Sequence, residues 1–126
     1  MSNVAIHTPN APAAIGPYSQ AIQAGNTIYV SGQLPIDPAT GAFPKGGIQA
    51  QTRQSLANVK HILAQVGMDP DNIVKTTVFL QSMDDFAQMN EVYTEFFAGC
   101  IYPARSCFQV AKLPKGALVE IEVVAR

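Results

Sequence analysis

The stretch QAQTRQSLANVKHILAQVGMDPDNIVKTTVFL, residues 49–80, holds the two patterns on which the fold turns. Between Gln49 and Val66, apolar Leu56, Val59, Ile62, Leu63 and Val66 recur at three- and four-residue steps. That spacing is one stripe of an α-helix, and Gly67 is a stop signal for it. After the Asp69-Pro70 turn, Ile73 to Leu80 is rich in β-branched residues (Ile73, Val74, Thr76, Thr77, Val78) and reads as a largely buried strand. A helix with a single apolar stripe next to a buried strand predicts a sheet covered by helices.

Working outward from this unit, Ser82 followed three residues on by Asp85 resembles a helix N-cap. Phe86, Met89, Val92, Tyr93, Phe96 and Phe97 then repeat at helical spacing, so a second amphipathic helix follows. Beyond Pro103, Ser106–Ala111 and Ala117–Ala125 are strand-like, with Lys112 to Gly116 as the turn between them. Upstream, Tyr18–Ala24 and Thr27–Ser31 flank Gly25-Asn26 and predict a hairpin. Residues 1–17 read as irregular because Pro9, Pro12, Gly16 and Pro17 punctuate them. Gly32 to Gly47, with Pro35, Pro38, Gly41, Pro44, Gly46 and Gly47, predicts an ordered loop or a flap. The order ββαβαββ over residues 1–126 implies a single α+β domain, a mixed sheet with both helices on one face.

Charge is scarce: 17 of 126 residues, 13%, against about 25% in soluble domains. Residues 1–44 contain one charged side chain, Asp37. The sheet face opposite the helices is therefore expected to be covered by another copy of the chain rather than by water. A net charge of −1, a pI near 6.0 and the lack of any Lys/Arg cluster disfavour a nucleic-acid partner. No apolar run approaches the roughly 18 residues of a membrane helix, and Met1-Ser2-Asn3-Val4 lacks the basic residues that open a signal peptide, so no membrane association and a cytoplasmic location are expected. Cys100 and Cys107 are too few for a disulfide framework and read as reduced thiols.

Phosphate-loop, dinucleotide and zinc-helix motifs are missing, and His7 and His61 alone do not assemble a triad or a multi-histidine metal site. Cys107 reads either as a nucleophile or as a small buried hydrophobe, the latter favoured because no base lies near it in sequence. The anomaly lies in the last two strands. Alternation puts Arg105, Cys107 and Gln109 on one face, and Glu120 and Glu122 on one face of their own strand. One reading is a solvated surface with an Arg–Glu cross-strand pair. The other is a ligand site, because Val119, Ile121, Val123 and Val124 surround the glutamates and Pro103-Ala104 delivers Arg105 from a stiff turn, as a carboxylate clamp requires.

The run Asn10-Ala11-Pro12-Ala13-Ala14-Ile15-Gly16-Pro17-Tyr18-Ser19-Gln20, then Ser31-Gly32-Gln33, Gln54 to Lys60, Val74 to Phe79, and above all Tyr102-Pro103-Ala104-Arg105-Ser106-Cys107 with Val119-Glu120-Ile121-Glu122, resemble the Rid family. More narrowly they resemble its RidA branch, the 2-iminobutanoate/2-iminopropanoate deaminases, over nearly the whole chain. The resemblance implies a chorismate-mutase-like fold and a homotrimer with active sites between subunits. It implies hydrolysis of the 2-aminoacrylate, 2-iminopropanoate and 2-iminobutanoate intermediates released by pyridoxal-phosphate (PLP) enzymes such as dehydratases. The products are 2-keto acids and ammonia, with neither cofactor nor metal. By the same resemblance Arg105 binds the substrate carboxylate and Glu120 orients or activates the attacking water. Tyr18, Ser31, Gly32, Asn90 and Cys107 line the pocket, Asn90 being also readable, nearly as well, as an ordinary exposed helix residue. Three alternatives remain at this level: a non-catalytic trimer that binds small carboxylates and regulates a partner, a ribonuclease or translation inhibitor, and a chaperone-like protein. Retention of both Arg105 and Glu120 argues against the first, and the pI argues against the second.

Overall fold

Both helices pack on one face of a six-stranded mixed sheet in the computed structural model, which describes residues 2–126. The elements are β1 (Val4–Ile6), β2 (Ala21–Ala24), β3 (Thr27–Gln33), α1 (Gly47–Ala64), β4 (Ile73–Leu80), α2 (Phe86–Phe96), β5 (Ala104–Gln109) and β6 (Val119–Ala125). Strand order across the sheet is β1-β2-β3-β6-β4-β5. Every pairing is antiparallel except β4 with β5, which is parallel because α2 carries the chain back between them.

The expected α+β layering holds, with one correction to the element order. Residues 1–17 are not irregular throughout: Val4–Ile6 pairs antiparallel with Ala21–Gln23 and adds a sixth strand at the sheet edge. Three residues with no proline among them are too short a run to show a period, so their strand character comes from the pairing. Tyr18 to Gln20, in turn, lies outside β2, which begins at Ala21. The last two strands are each offset by two residues from their expected starts.

Helix α1 ends as its composition predicts. Gly67 takes φ +74°, and Gly67 N–H and Met68 N–H donate to the carbonyls of Ala64 and Leu63. Ser82 does cap, but it caps a single 3₁₀ turn, its Oγ accepting from Asp84 N–H at 3.1 Å, and that turn runs straight into α2. Among the described residues no helix is long and apolar enough to cross a membrane.

The core lies between the helices and the sheet. Val59, Ile62 and Leu63 from α1 and Met89 from α2 meet Val78, Leu80, Val119 and Ile121, all fully buried. Two buried amides hold the irregular segments to it. Gln20, 3% exposed, accepts from Thr8 N–H at 2.7 Å and donates to the carbonyls of Thr8, Ala11 and Pro12. Asn58 donates to the carbonyls of Leu34 and Ile36 at 3.1 and 3.0 Å. The glycine- and proline-rich loop is thus tied down at its start. Asp37 forms the next turn with its own backbone and side chain, accepting from Ala39, Thr40 and Gly41 N–H.

The opposite sheet face carries Tyr29, Ser31, Lys75, Thr77, Phe79, Ser106, Phe108, Glu120, Glu122 and Val124. Tyr29 and Phe108 are 52% and 47% exposed there.

Candidate functional site

The register of β4 with its two neighbours decides where the charged strand residues point. Thr76 pairs with Arg105 in β5, and Phe79 pairs with Glu120 in β6. Positions 76 and 79 lie on opposite faces of β4. Arg105 therefore points to the helix side and Glu120 to the open side. Within one chain they form no cross-strand pair, which removes the Arg–Glu pair as an account of either.

Arg105 rises into a cradle made by one face of α2. Phe86, Asn90 and Tyr93 follow i, i+4, i+7 spacing, so all three meet the same guanidinium. Nη1–H donates to Asn90 Oδ1 at 2.7 Å, and Cζ stands 4.7 Å from the Tyr93 ring centroid and 5.5 Å from that of Phe86. The ion pair found among the described residues is Arg53 with Glu95, so Arg105 has no carboxylate partner among them. Asn90 takes one of five donors and leaves the rest for a ligand. The cleft here, about 440 Å³, is lined by Asn90, Tyr93, Thr94, Tyr102, Pro103 and Arg105.

Cys107 lies two residues on, on the same face as Arg105 and half-buried. Burial raises its thiol pKa and the Arg105 charge pulls the other way, so the net direction is upward. A thiol so shifted is a poor nucleophile at neutral pH. The neighbouring Asp71 carboxylate shifts the Cys100 thiol upward as well.

A second group forms on the other side. Tyr18, 52% exposed, and Gly32 line a cavity of about 240 Å³ together with Ile15, Gln33 and Pro114. A bulge creates this corner. Between Val30 and Gln33, β3 uses one residue more than β6 does between Val123 and Ile121, so Ser31-Gly32 buckles opposite Glu122. Ser31 Oγ donates to Ser19 carbonyl at 2.6 Å, which commits its proton and leaves only lone pairs for a ligand. Glu120 packs directly on Gly32, where a Cβ would overlap its carboxylate. Burial, and secondarily the neighbouring charge of Glu122, raise the Glu120 pKa above the ordinary glutamate range.

The seven candidate residues thus fall into two clusters: Arg105, Asn90 and Cys107 on the helix side, and Tyr18, Ser31, Gly32 and Glu120 around the bulge. Sequence reading missed Phe86 and Tyr93, which it assigned to the core stripe. Their spacing with Asn90 was visible, but nothing marked Arg105 as the group they would face.

The sequence profile of the endoribonuclease L-PSP family matches residues 8–126. A mouse protein named 2-iminobutanoate/2-iminopropanoate deaminase is 51% identical over 95% of this chain and 88% of its own. A crystal structure of a Rid-family protein from Yersinia pestis superimposes with a TM-score of 0.96 at 51% identity, covering 98% of both chains. Escherichia coli TdcF, solved with bound serine, superimposes with a TM-score of 0.93 at 47% identity, covering 97% of both.

Proposed function

The chain belongs to the endoribonuclease L-PSP family, which includes the Rid proteins, and on that premise we propose that it is an enamine/imine deaminase acting on small 2-imino acids. The observation that carries this reading is the unpaired, aromatic-walled guanidinium of Arg105 in an open cleft. A fixed planar fork with free donors is built for a carboxylate, which it grips with two charge-assisted hydrogen bonds. The mouse relative's named substrates carry a carboxylate, as does the serine bound to TdcF.

In the proposed reaction, Arg105 holds the carboxylate and Asn90 holds one nitrogen of the guanidinium. Ser31, able only to accept, receives an N–H of the iminium. Water adds to the imine carbon while the Glu120 carboxylate takes its proton. Glu120 returns that proton to the nitrogen of the resulting carbinolamine, then accepts the hydroxyl proton as the C–N bond breaks; ammonia departs, taking up this proton as ammonium, and a 2-keto acid is left behind. A carboxylate with a raised pKa is a stronger base than an ordinary one, which suits proton abstraction from water. Positioning does most of the rest, since imines hydrolyse unaided. Iminopropanoate and iminobutanoate released by PLP-dependent dehydratases in the cytoplasm are the proposed substrates.

The two clusters lie on opposite sides of one sheet, so a small ligand needs the second cluster from another copy. We take the assembly to be a homotrimer with its sites between subunits, the open face with its exposed Tyr29 and Phe108 forming the contact. The family's endoribonuclease name suggests an alternative, which the net charge of −1 and the absence of a basic stripe do not favour. Coupling the purified protein to a threonine dehydratase and trapping free imine with semicarbazide tests the reading. Wild type should raise 2-ketobutyrate formation at the expense of the trapped product. Equal partitioning with wild type and Arg105→Ala would refute it.

A further inference from the structure

We propose that Tyr93, tied down by Thr76, is a positioning residue that sets the plane of the Arg105 guanidinium, so that the Thr76–Tyr93 hydroxyl pair tunes carboxylate affinity. The inference rests on the reading of Arg105 as the carboxylate clamp.

Arg105 stands on a flexible stem with no counter-ion among the described residues, so its orientation depends on three contacts. The Asn90 hydrogen bond fixes one nitrogen and leaves rotation about that point. Phe86 is the more distant ring, at 5.5 Å, and is only half-buried. Tyr93 is the close plate, at 4.7 Å and 5% exposed. Its far end shares a 2.8 Å hydrogen bond with Thr76 Oγ1, and Thr76 is fully buried.

Thr76 is also the residue paired with Arg105 across the β4–β5 ladder. The plate under the guanidinium is therefore anchored to the same rung of the sheet from which Arg105 departs. Backbone, threonine, tyrosine ring and guanidinium make a closed loop, which holds the angle between ring and fork.

Packing alone does not call for these hydroxyls. The Tyr93 ring already meets Phe97 at 4.7 Å, and phenylalanine and valine would fill the same space without two polar groups to bury. Burial also raises the Tyr93 pKa, so its hydroxyl stays protonated and able to share the bond. What the pair adds over an apolar equivalent is a fixed ring plane.

The test compares wild type with Tyr93→Phe, Thr76→Val, the double variant and Arg105→Ala. Three quantities are read: Kd for 2-oxobutyrate by NMR titration, KM and kcat in the imine assay, and the order parameter of the Arg105 Nε–Hε bond in the free protein. Each single variant leaves one buried hydroxyl unpaired, whereas the double variant leaves none, so the double should regain much of the lost thermal stability. Its Kd and KM should nonetheless stay raised by about five- to tenfold, the scale of one rotamer-rich side chain left to be immobilised on binding. Its kcat should stay within about twofold, and the Arg105 Nε–Hε bond should be more mobile than in wild type.

A double variant that recovers stability together with wild-type Kd and Nε–Hε order would assign the pair to folding alone and overturn the inference. So would an unchanged KM with kcat falling only as the folded fraction falls. If Arg105→Ala binds 2-oxobutyrate as wild type does, the carboxylate reading falls and takes this one with it. If Arg105→Ala loses the ligand while the Tyr93 and Thr76 variants do not, only the positioning inference falls.

Discussion

A single methyl group added at Gly32 tests whether the Glu120 carboxylate must stand where it does. Gly32 is not in the left-handed region, so alanine is compatible with its backbone and the effect is steric. The new Cβ would overlap Glu120 Oε2 and come within 2.9 Å of Cδ and 3.2 Å of Cγ. Restoring ordinary contact moves the carboxylate by about 1 Å. Glu120 can do this by rotating off its preferred rotamer, at about 0.5–1.5 kcal/mol. The lost freedom of the unfolded chain on replacing glycine offsets about 0.4–1 kcal/mol of that. Stability by urea denaturation should therefore change by less than about 1 kcal/mol. A base displaced by about 1 Å costs on the order of a hundredfold in rate, or about 2.7 kcal/mol of barrier. In the coupled imine assay Gly32→Ala should thus lose about two orders of magnitude in kcat/KM while remaining folded. On a Glu120→Gln background the same change should cost little, because the group it displaces is already disabled. Activity within threefold of wild type, or a further hundredfold loss in the double variant, would refute the reasoning.

Removing Arg105 should be more severe: Arg105→Ala should lose about 2–5 kcal/mol of transition-state binding, and Arg105→Lys should recover only a small part, since it restores charge without the planar fork. Because Arg105 and Glu120 face opposite sides of the sheet, co-refolded Arg105→Ala and Glu120→Gln should regain activity that neither has alone, and failure to complement would exclude a shared site. The raised Glu120 pKa means that the folded state holds this proton more tightly than the unfolded state does. Its stabilising contribution is complete below the ordinary glutamate range and is lost as pH rises through the raised value. Glu120→Gln should accordingly be at least as stable as wild type at pH 7.5 by thermal melting, and any advantage should vanish by pH 4. The acid limb of kcat/KM should lie above the usual carboxylate range. Gln20→Ala strands the backbone groups of Thr8, Ala11 and Pro12 and should cost about 1–3 kcal/mol, with faster hydrogen exchange at Thr8 than in the sheet.

Periodicity made the main elements readable because it follows from burial on one side. The stripe Leu56, Val59, Ile62, Leu63 is fully buried in α1, and Val78 and Leu80 are fully buried in β4. Strand β1 was not readable, since three residues carry no period and owe their conformation to β2. Tyr93 shows the same limit in the site. Its apolar spacing was correctly read as burial, at 5% exposure, yet the stripe could not reveal that the buried ring also supports an arginine from the following strand. Likewise Gln20 and Asn58 look like ordinary polar residues until the segments they hold come within hydrogen-bond reach.

By itself, the sequence determined the α+β class, the two helices, the loop after the hairpin and the conspicuousness of Arg105 and Glu120 in a chain with few charges. Those are local properties of composition and spacing. Tertiary structure decided which side of the sheet each charge faces. Strand β6 inserts between β3 and β4, and its register against Phe79 turns Glu120 to the open face, while the parallel register of β5 turns Arg105 toward α2. Side chains alternate at every residue, so a slip of one position in either ladder would have reversed that outcome without changing the pattern along the chain.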